Sequence, residues 1–91
     1  MNSSCSRTFR VKNPHGLHAR AATAIAGRAQ QFECSIRLLR EHLAADAKSV
    51  LDILTLGAPQ GAPIEVRAQG RDASLAVEAL GHLFMNSFRM D

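Results

Sequence analysis

Tryptophan and tyrosine are absent from this 91-residue chain, phenylalanine occurs four times, and there are two cysteines and three prolines. Without Trp or Tyr the chain lacks the aromatic platforms on which single-strand nucleic-acid binders stack bases. Cys5 and Cys34 have no C-x-x-C spacing, so two free thiols are expected rather than a disulfide or a cysteine-based zinc site. No apolar run approaches the roughly 20 residues of a membrane helix. Met1 to Ser6 is polar with no apolar segment behind it, so a cytoplasmic chain without a membrane partner is expected. Against these absences stand 22 Val, Ile, Leu and Phe residues and 15 alanines, enough for one small core and one domain over residues 1–91.

Charge of one sign is in modest excess, eleven Lys and Arg against eight Asp and Glu. Nine of the eleven are arginines dispersed from Arg7 to Arg89, and Glu33, Asp46, Glu65 and Asp72 interrupt them. A dispersed pattern of this kind makes no basic stripe, so no nucleic-acid partner is expected.

Periodicity orders the elements. Phe9 and Val11 alternate with Arg10 and Lys12, a half-buried strand over Thr8 to Lys12. The turn Asn13-Pro14-His15-Gly16 leads into Ala19, Ala22, Ile25, Ala26 and Ala29, one face of an alanine-rich helix over about His18 to Gln30. Cys34, Ile36 and Leu38 alternate, and so do Leu43, Ala45 and Ala47, which predicts an antiparallel pair whose turn lacks the Asn-Gly signature. Ser49 with Asp52 three residues on opens a short helix from Val50 to Leu56, closed by Gly57. Ile64, Val66 and Ala68 mark a fourth strand ended by Gly70. Asp72 N-caps a last helix whose expected apolar stripe is Leu75, Ala76, Ala79, Leu80 and Leu83, extended by Phe84 and Phe88. The order β-α-β-β-α-β-α, with every strand polar on one side, predicts an α+β open-faced sandwich: a four-stranded antiparallel sheet with three helices on one face.

His18 stands out for chemistry because it falls at the start of the first helix, directly after Gly16-Leu17. The first N–H groups of a helix have no intrahelical acceptor, and the macrodipole adds partial positive charge, so the position attracts phosphate and disfavours imidazolium. A neutral imidazole is a nucleophile, as a phosphohistidine site requires. Arg20 lies in the same turn, where a guanidinium can fork onto phosphate oxygens. The plain alternative is a capping histidine beside a solvated arginine. A metal site is the other chemical option, since His15 and His18 are spaced H-x-x-H, but two imidazoles on a turn without a third ligand make a poor one, and none is expected. His42 and His82 read as surface residues, Cys34 as a small core residue and Cys5 as exposed near a frayed terminus.

Gly16-Leu17-His18-Ala19-Arg20 at a strand-turn-helix junction, followed by Lys48-Ser49 opening a second helix, resembles the histidine-containing phosphocarrier (HPr) family of the bacterial phosphotransferase system. The resemblance runs from about Thr8 to Phe88. It implies that His18 accepts a phosphoryl group from enzyme I and passes it to an enzyme IIA domain, with Ala19 and Arg20 helping to hold the phosphate and no cofactor of the chain's own. It implies a monomer that is a stoichiometric carrier rather than an enzyme. Ser49 is a regulatory phosphosite for an HPr kinase in some relatives, and elsewhere only a helix cap. Thr23, Ala24, Val50, Leu51 and Leu54 are the expected docking residues, with a satellite core under the Ala58–Pro63 loop as the other reading for the apolar ones. The segment Ile64-Glu65-Val66 and the ending Leu83 to Phe88 look closest to the family's nitrogen-branch carriers (NPr). Ala21 stands where the family usually has proline, which predicts a less rigid first turn and keeps in view a regulatory module acting through Ser49 without phosphoryl transfer. His15 is a second imidazole near the site, placed either to bond the phosphate or to sit in solvent.

Overall fold

The alternating segments pair into one four-stranded antiparallel sheet in the computed structural model, which describes residues 3–88. Along the chain run β1 (Ser4–Arg10), α1 (Ala19–Ala29), β2 (Ser35–Arg40), β3 (Leu43–Asp46), α2 (Val50–Leu54), β4 (Pro63–Gln69) and α3 (Ala73–Met85). The sheet order is β1-β4-β2-β3. The last strand is therefore central, and it pairs with β1 through Phe9↔Ile64 and with β2 through Leu38↔Val66. Period two sends Ile36, Leu38, Ile64, Val66 and Ala68 into the core. Ser35, Arg37, Arg67 and Gln69 stay on the open face. This is the expected open-faced α+β sandwich. Arg89 and both ends of the 1–91 domain expectation lie outside the described residues.

Several boundaries differ from the periodic reading. β1 begins at Ser4, because Ser4, Cys5 and Ser6 pair with Gln69, Ala68 and Arg67 through backbone bonds that need no hydrophobic signature. Cys5 is thereby half-buried opposite Ala68, not exposed at a frayed end. β1 ends at Arg10, and Val11 instead exchanges bonds with the Ala62 carbonyl and the Gly61 N–H at 3.0 and 2.7 Å. In the β2–β3 turn Glu41 adopts φ +56°, a left-handed conformation that costs a non-glycine residue roughly 1–2 kcal/mol. α2 stops at Leu54, since Thr55 caps it and Leu56 turns into the core.

The α3 stripe is rotated by one residue from the expected one. Ala73, Ala76, Val77, Leu80, Gly81 and Phe84 face inward, while Leu75 is 63% exposed. The cause is Gly81: a Cβ there would lie 2.6 Å from Cζ of Phe9, so the bare backbone is the seat of the Phe9 ring. That ring stacks on Phe84 at 5.6 Å, and Phe84 meets Phe88 edge-on at 5.0 Å, contacts of the kind worth about 0.5–1.5 kcal/mol beyond burial. α1 contributes Ala21, Ala22, Ala24, Ile25, Ala26 and Ala29 to the core and packs against both α2 and α3.

Candidate functional site

The turn between β1 and α1 is built to hold one ring in place. Gly16 has φ +68°, and a Cβ there would collide with the Ala58 carbonyl oxygen, so only glycine fits. Its N–H bonds the Asn13 carbonyl at 3.1 Å, while Nδ2 of Asn13 donates to the Gly16 carbonyl at 2.6 Å. Asn13 is 7% exposed, a turn residue used as a buried brace. Leu17 N–H donates to the Ala58 carbonyl at 2.9 Å, and Nε2 of Gln60 donates to the Lys12 carbonyl at 3.0 Å. The Ala58–Ala62 loop thus braces the turn, a long-range support that the local Asn-Pro-x-Gly composition does not announce.

His18 follows in an extended conformation (φ −85°, ψ −176°) and N-caps α1. Its Nδ1 accepts the Arg20 N–H at 3.2 Å, and its carbonyl accepts the Ala22 N–H at 2.9 Å. The ring is half-buried. A nitrogen that accepts a hydrogen bond carries no proton, so the proton of a neutral ring sits on Nε2. The N–H groups of Ala19 and Ala21 belong to the same helix head, where no preceding turn supplies acceptors. Arg20 is exposed beside them. Ala21 is buried and helical, and with His18 as cap the first turn forms without the expected proline. The His15 ring meets the His18 ring edge-to-face, with centroids 5.6 Å apart and planes at 89°.

The other expected residues divide between two places. Thr23 is exposed one turn beyond Ala19, whose carbonyl its hydroxyl bonds at 2.8 Å. Ala24 is not a surface residue: at 3% exposure it belongs to the inward face of α1 with Ala21 and Ile25, and the docking expectation for it is corrected. In α2, Ile53 alone is buried, Val50 packs partly against the core, and Leu51 and Leu54 are 77% and 37% exposed. These last two form the open apolar patch. Ser49 N-caps α2, its Oγ accepting the Asp52 N–H at 3.2 Å. It is not beside His18. Gln30, at the far end of α1, donates through Nε2 to the Lys48 carbonyl at 3.0 Å, so Ser49 and His18 stand at opposite ends of α1, whose 11 residues span about 16 Å.

Asp72 corrects another expectation. It occupies the N-cap position of α3 without capping it, and its carboxylate instead accepts the N–H groups of Glu33 and Cys34 at 3.0 and 2.9 Å. Those bonds, led by that from Glu33, hold the carboxyl below the usual range. Burial and the neighbouring carboxylate push the Cys34 thiol up to about 11, so it is an inert core thiol. His42 and His82 are exposed, as expected. Among the described residues no three His, Cys, Asp or Glu side chains gather around a common point, and no helix is long and apolar enough to cross a membrane.

The chain is thus an open-faced sandwich whose first helix is capped by a histidine on a turn braced from a distant loop. The family model "PTS HPr component phosphorylation site" matches residues 5–86, and the chain belongs to the HPr family of phosphotransferase-system phosphocarriers. It is 35% identical over 82 residues to the phosphocarrier protein HPr of Treponema pallidum, covering 90% of this chain and 93% of that one. It is 38% identical over 77 residues to a multiphosphoryl transfer protein of Vibrio cholerae, matching 81% of this chain but 19% of that much longer protein. The crystal structure of an HPr from Thermoanaerobacter tengcongensis superposes with a TM-score of 0.90 at 32% identity, covering 96% of this chain and 98% of that one.

Proposed function

We propose that this chain takes a phosphoryl group on His18 from an enzyme I of the phosphoenolpyruvate-dependent system and delivers it to an enzyme IIA domain. The observation that carries this reading is the N-cap geometry of His18, with its unprotonated Nδ1 3.2 Å from the Arg20 N–H. The lone pair on Nδ1 forms the bond to phosphorus, the bond from phosphorus to the donor breaks, and its electron pair leaves with the donor. The N–H groups of Ala19 and Arg20 then face an anion at a helix N-terminus, and the Arg20 guanidinium neutralises charge that develops in transfer. Thr23, Val50, Leu51 and Leu54 form the dock for both partners: the exposed leucines of α2, a helix packed against α1, suit transient association. The chain needs no cofactor of its own; Mg2+ and phosphoenolpyruvate belong to the donor enzyme. Residues 1–91 act as one domain, monomeric and cytoplasmic, and light scattering at high concentration is the check on the monomer.

Ser49 fits the same scheme as a regulatory position. A kinase acting there would add about two negative charges next to the exposed leucines of α2, at the far end of α1 from His18, and so would weaken docking rather than block chemistry. The resemblance of the chain's ending to nitrogen-branch carriers makes regulation of nitrogen use the proposed branch.

Intact-protein mass spectrometry after incubation with phosphoenolpyruvate, Mg2+ and candidate enzymes I tests the proposal. The native chain gains one acid-labile phosphate, His18→Ala gains none, and Arg20→Ala gains it about 100-fold more slowly. An unchanged mass with every enzyme I of the host, or full phosphorylation of His18→Ala, overturns it.

A further inference from the structure

The turn that presents His18 carries a second imidazole whose placement the carrier reading does not use. His15 is exposed on the same turn, and its ring stands perpendicular to that of His18 at a centroid distance of 5.6 Å. The backbone on both sides of it is fixed. The Asn13 carbonyl and side chain hold Gly16, and the Ala58 carbonyl holds Leu17. His15 therefore does not drift away from His18 as a loop-tip residue would, and only its side-chain torsions are free.

Its charged surroundings are one-sided. The turn itself contributes Lys12, the head of α1 contributes His18 and Arg20, and the Ala58–Ala62 loop beneath carries no ionisable side chain. On α2, which packs against α1, the acid is Asp52, whose carboxylate is taken by the Asp46 N–H at 3.2 Å toward the far end of α1. Among the described residues of these elements, no carboxylate is bonded to the His15 ring. A phosphoryl group bound to His18 changes those surroundings. It puts close to two negative charges on a ring whose centroid is 5.6 Å from that of His15, and an adjacent anion favours the protonated form of an imidazole.

We propose that His15 is a positioning residue of the phosphate site that takes up a proton from water when His18 is phosphorylated, its imidazolium then donating a hydrogen bond to the phosphoryl oxygens. The covalent step is unchanged, with the phosphorus–nitrogen bond forming at His18 and the donor bond breaking. His15 adds only the proton. Because coupling between two sites is reciprocal, acid then favours the phosphorylated carrier, and the phosphoryl equilibrium between donor and carrier moves toward this chain as pH falls through the range in which histidines titrate. The site is then specified for an anion whose hold depends on pH, a property that a neutral amide at position 15 would not confer.

This inference rests on His18 as phosphoacceptor, and the test separates the two. The full chain is charged with phosphoenolpyruvate, Mg2+ and an enzyme I at pH 8, and absence of any acid-labile phosphate there refutes the carrier reading itself. On the charged chain, 15N-detected NMR follows the titration of the His15 ring with and without phosphate on His18. A rise of about one unit in its midpoint is expected, equivalent to about a tenfold gain in phosphoryl affinity from the alkaline to the acid limit. His15→Gln, which retains a donor but cannot titrate, is charged in parallel, with its melting temperature as the check on folding. It should accept phosphate and lose that tenfold pH dependence. A His15 midpoint that does not move on phosphorylation, or an identical pH profile in native and folded His15→Gln proteins, overturns the proposal.

Discussion

The heads of α1 and α3 are built alike and used differently. Each N-cap residue follows two positions after a glycine with positive φ, Gly16 at +68° before His18 and Gly70 at +139° before Asp72. Neither glycine has room for a Cβ, which would meet the Ala58 carbonyl at Gly16 and the Cβ of Cys34 at 2.8 Å at Gly70. From there the two diverge. The carboxylate of Asp72 turns away from its helix to join the segment entering β2, whereas the imidazole of His18 stays over its own helix head. An acid at a helix head spends its charge on neighbouring N–H groups. The imidazole of His18 caps one N–H of its own helix and leaves those of Ala19 and Ala21 without a side-chain acceptor, and this difference separates a structural joint from the one proposed to be reactive.

Replacing each glycine by alanine separates the two joints most strongly. Both Gly16→Ala and Gly70→Ala should lose roughly 1–3 kcal/mol in urea unfolding, through strained φ and a Cβ without space. Only Gly16→Ala should also slow phosphoryl acceptance by the folded protein, by about 100-fold for a ring displaced on the order of 1 Å. Equal rates for the two folded variants would erase the distinction.

Asp72→Asn comes next. Because the folded carboxyl is held below its unfolded value of 3.8, the stability it contributes is present above that pH and is lost as pH falls through the lower folded value. The native protein should therefore melt higher than Asp72→Asn at pH 7, and the gap should close below pH 3.8, in thermal scans across that range. Phosphoryl acceptance at pH 7 should be unchanged.

A smaller effect sits beside the same carboxylate. With its thiol raised to about 11, Cys34 holds on the order of one thiolate in a thousand at pH 8, so iodoacetamide should modify half-buried Cys5 first. Peptide mapping that finds Cys34 alkylated first would contradict the closed state of this joint. The smallest effect is expected from Ala21→Pro. In the first helical turn proline is tolerated and stabilises by about 0.4–1 kcal/mol through the unfolded chain, while removing one N–H from the head of α1. Phosphorylation rates should stay within a few-fold of native.

The reactive joint was legible in the sequence because its signals are local. A strand ending near Lys12, a Pro-x-Gly turn and an alanine-rich helical face are all encoded within a few residues of His18, and from them the position of the ring at the helix head follows. The closed joint was not legible, because Asp72 reads as a cap from its own neighbours and its actual partners, Glu33 and Cys34, arrive from 39 and 38 residues away. The rotated face of α3 escaped for a related reason: Gly81 has no hydropathy to enter a stripe, yet the ring it seats comes from β1. Ala24 shows the limit of small residues, since an alanine reads equally well on either face of a helix and the packing of α1 decides.

The bonds that brace the His18 turn also order events in time. Gln60 reaches the Lys12 carbonyl across 48 residues of sequence, and Arg10 reaches the Gly61 carbonyl across 51. Contacts of such separation form late and slowly in folding, after helices have begun to appear. A chain still emerging from synthesis, or one that has opened at β4, therefore has a histidine but no site. On the proposed function, competence to accept phosphate becomes a property of the finished fold, open only to molecules whose two halves have already met.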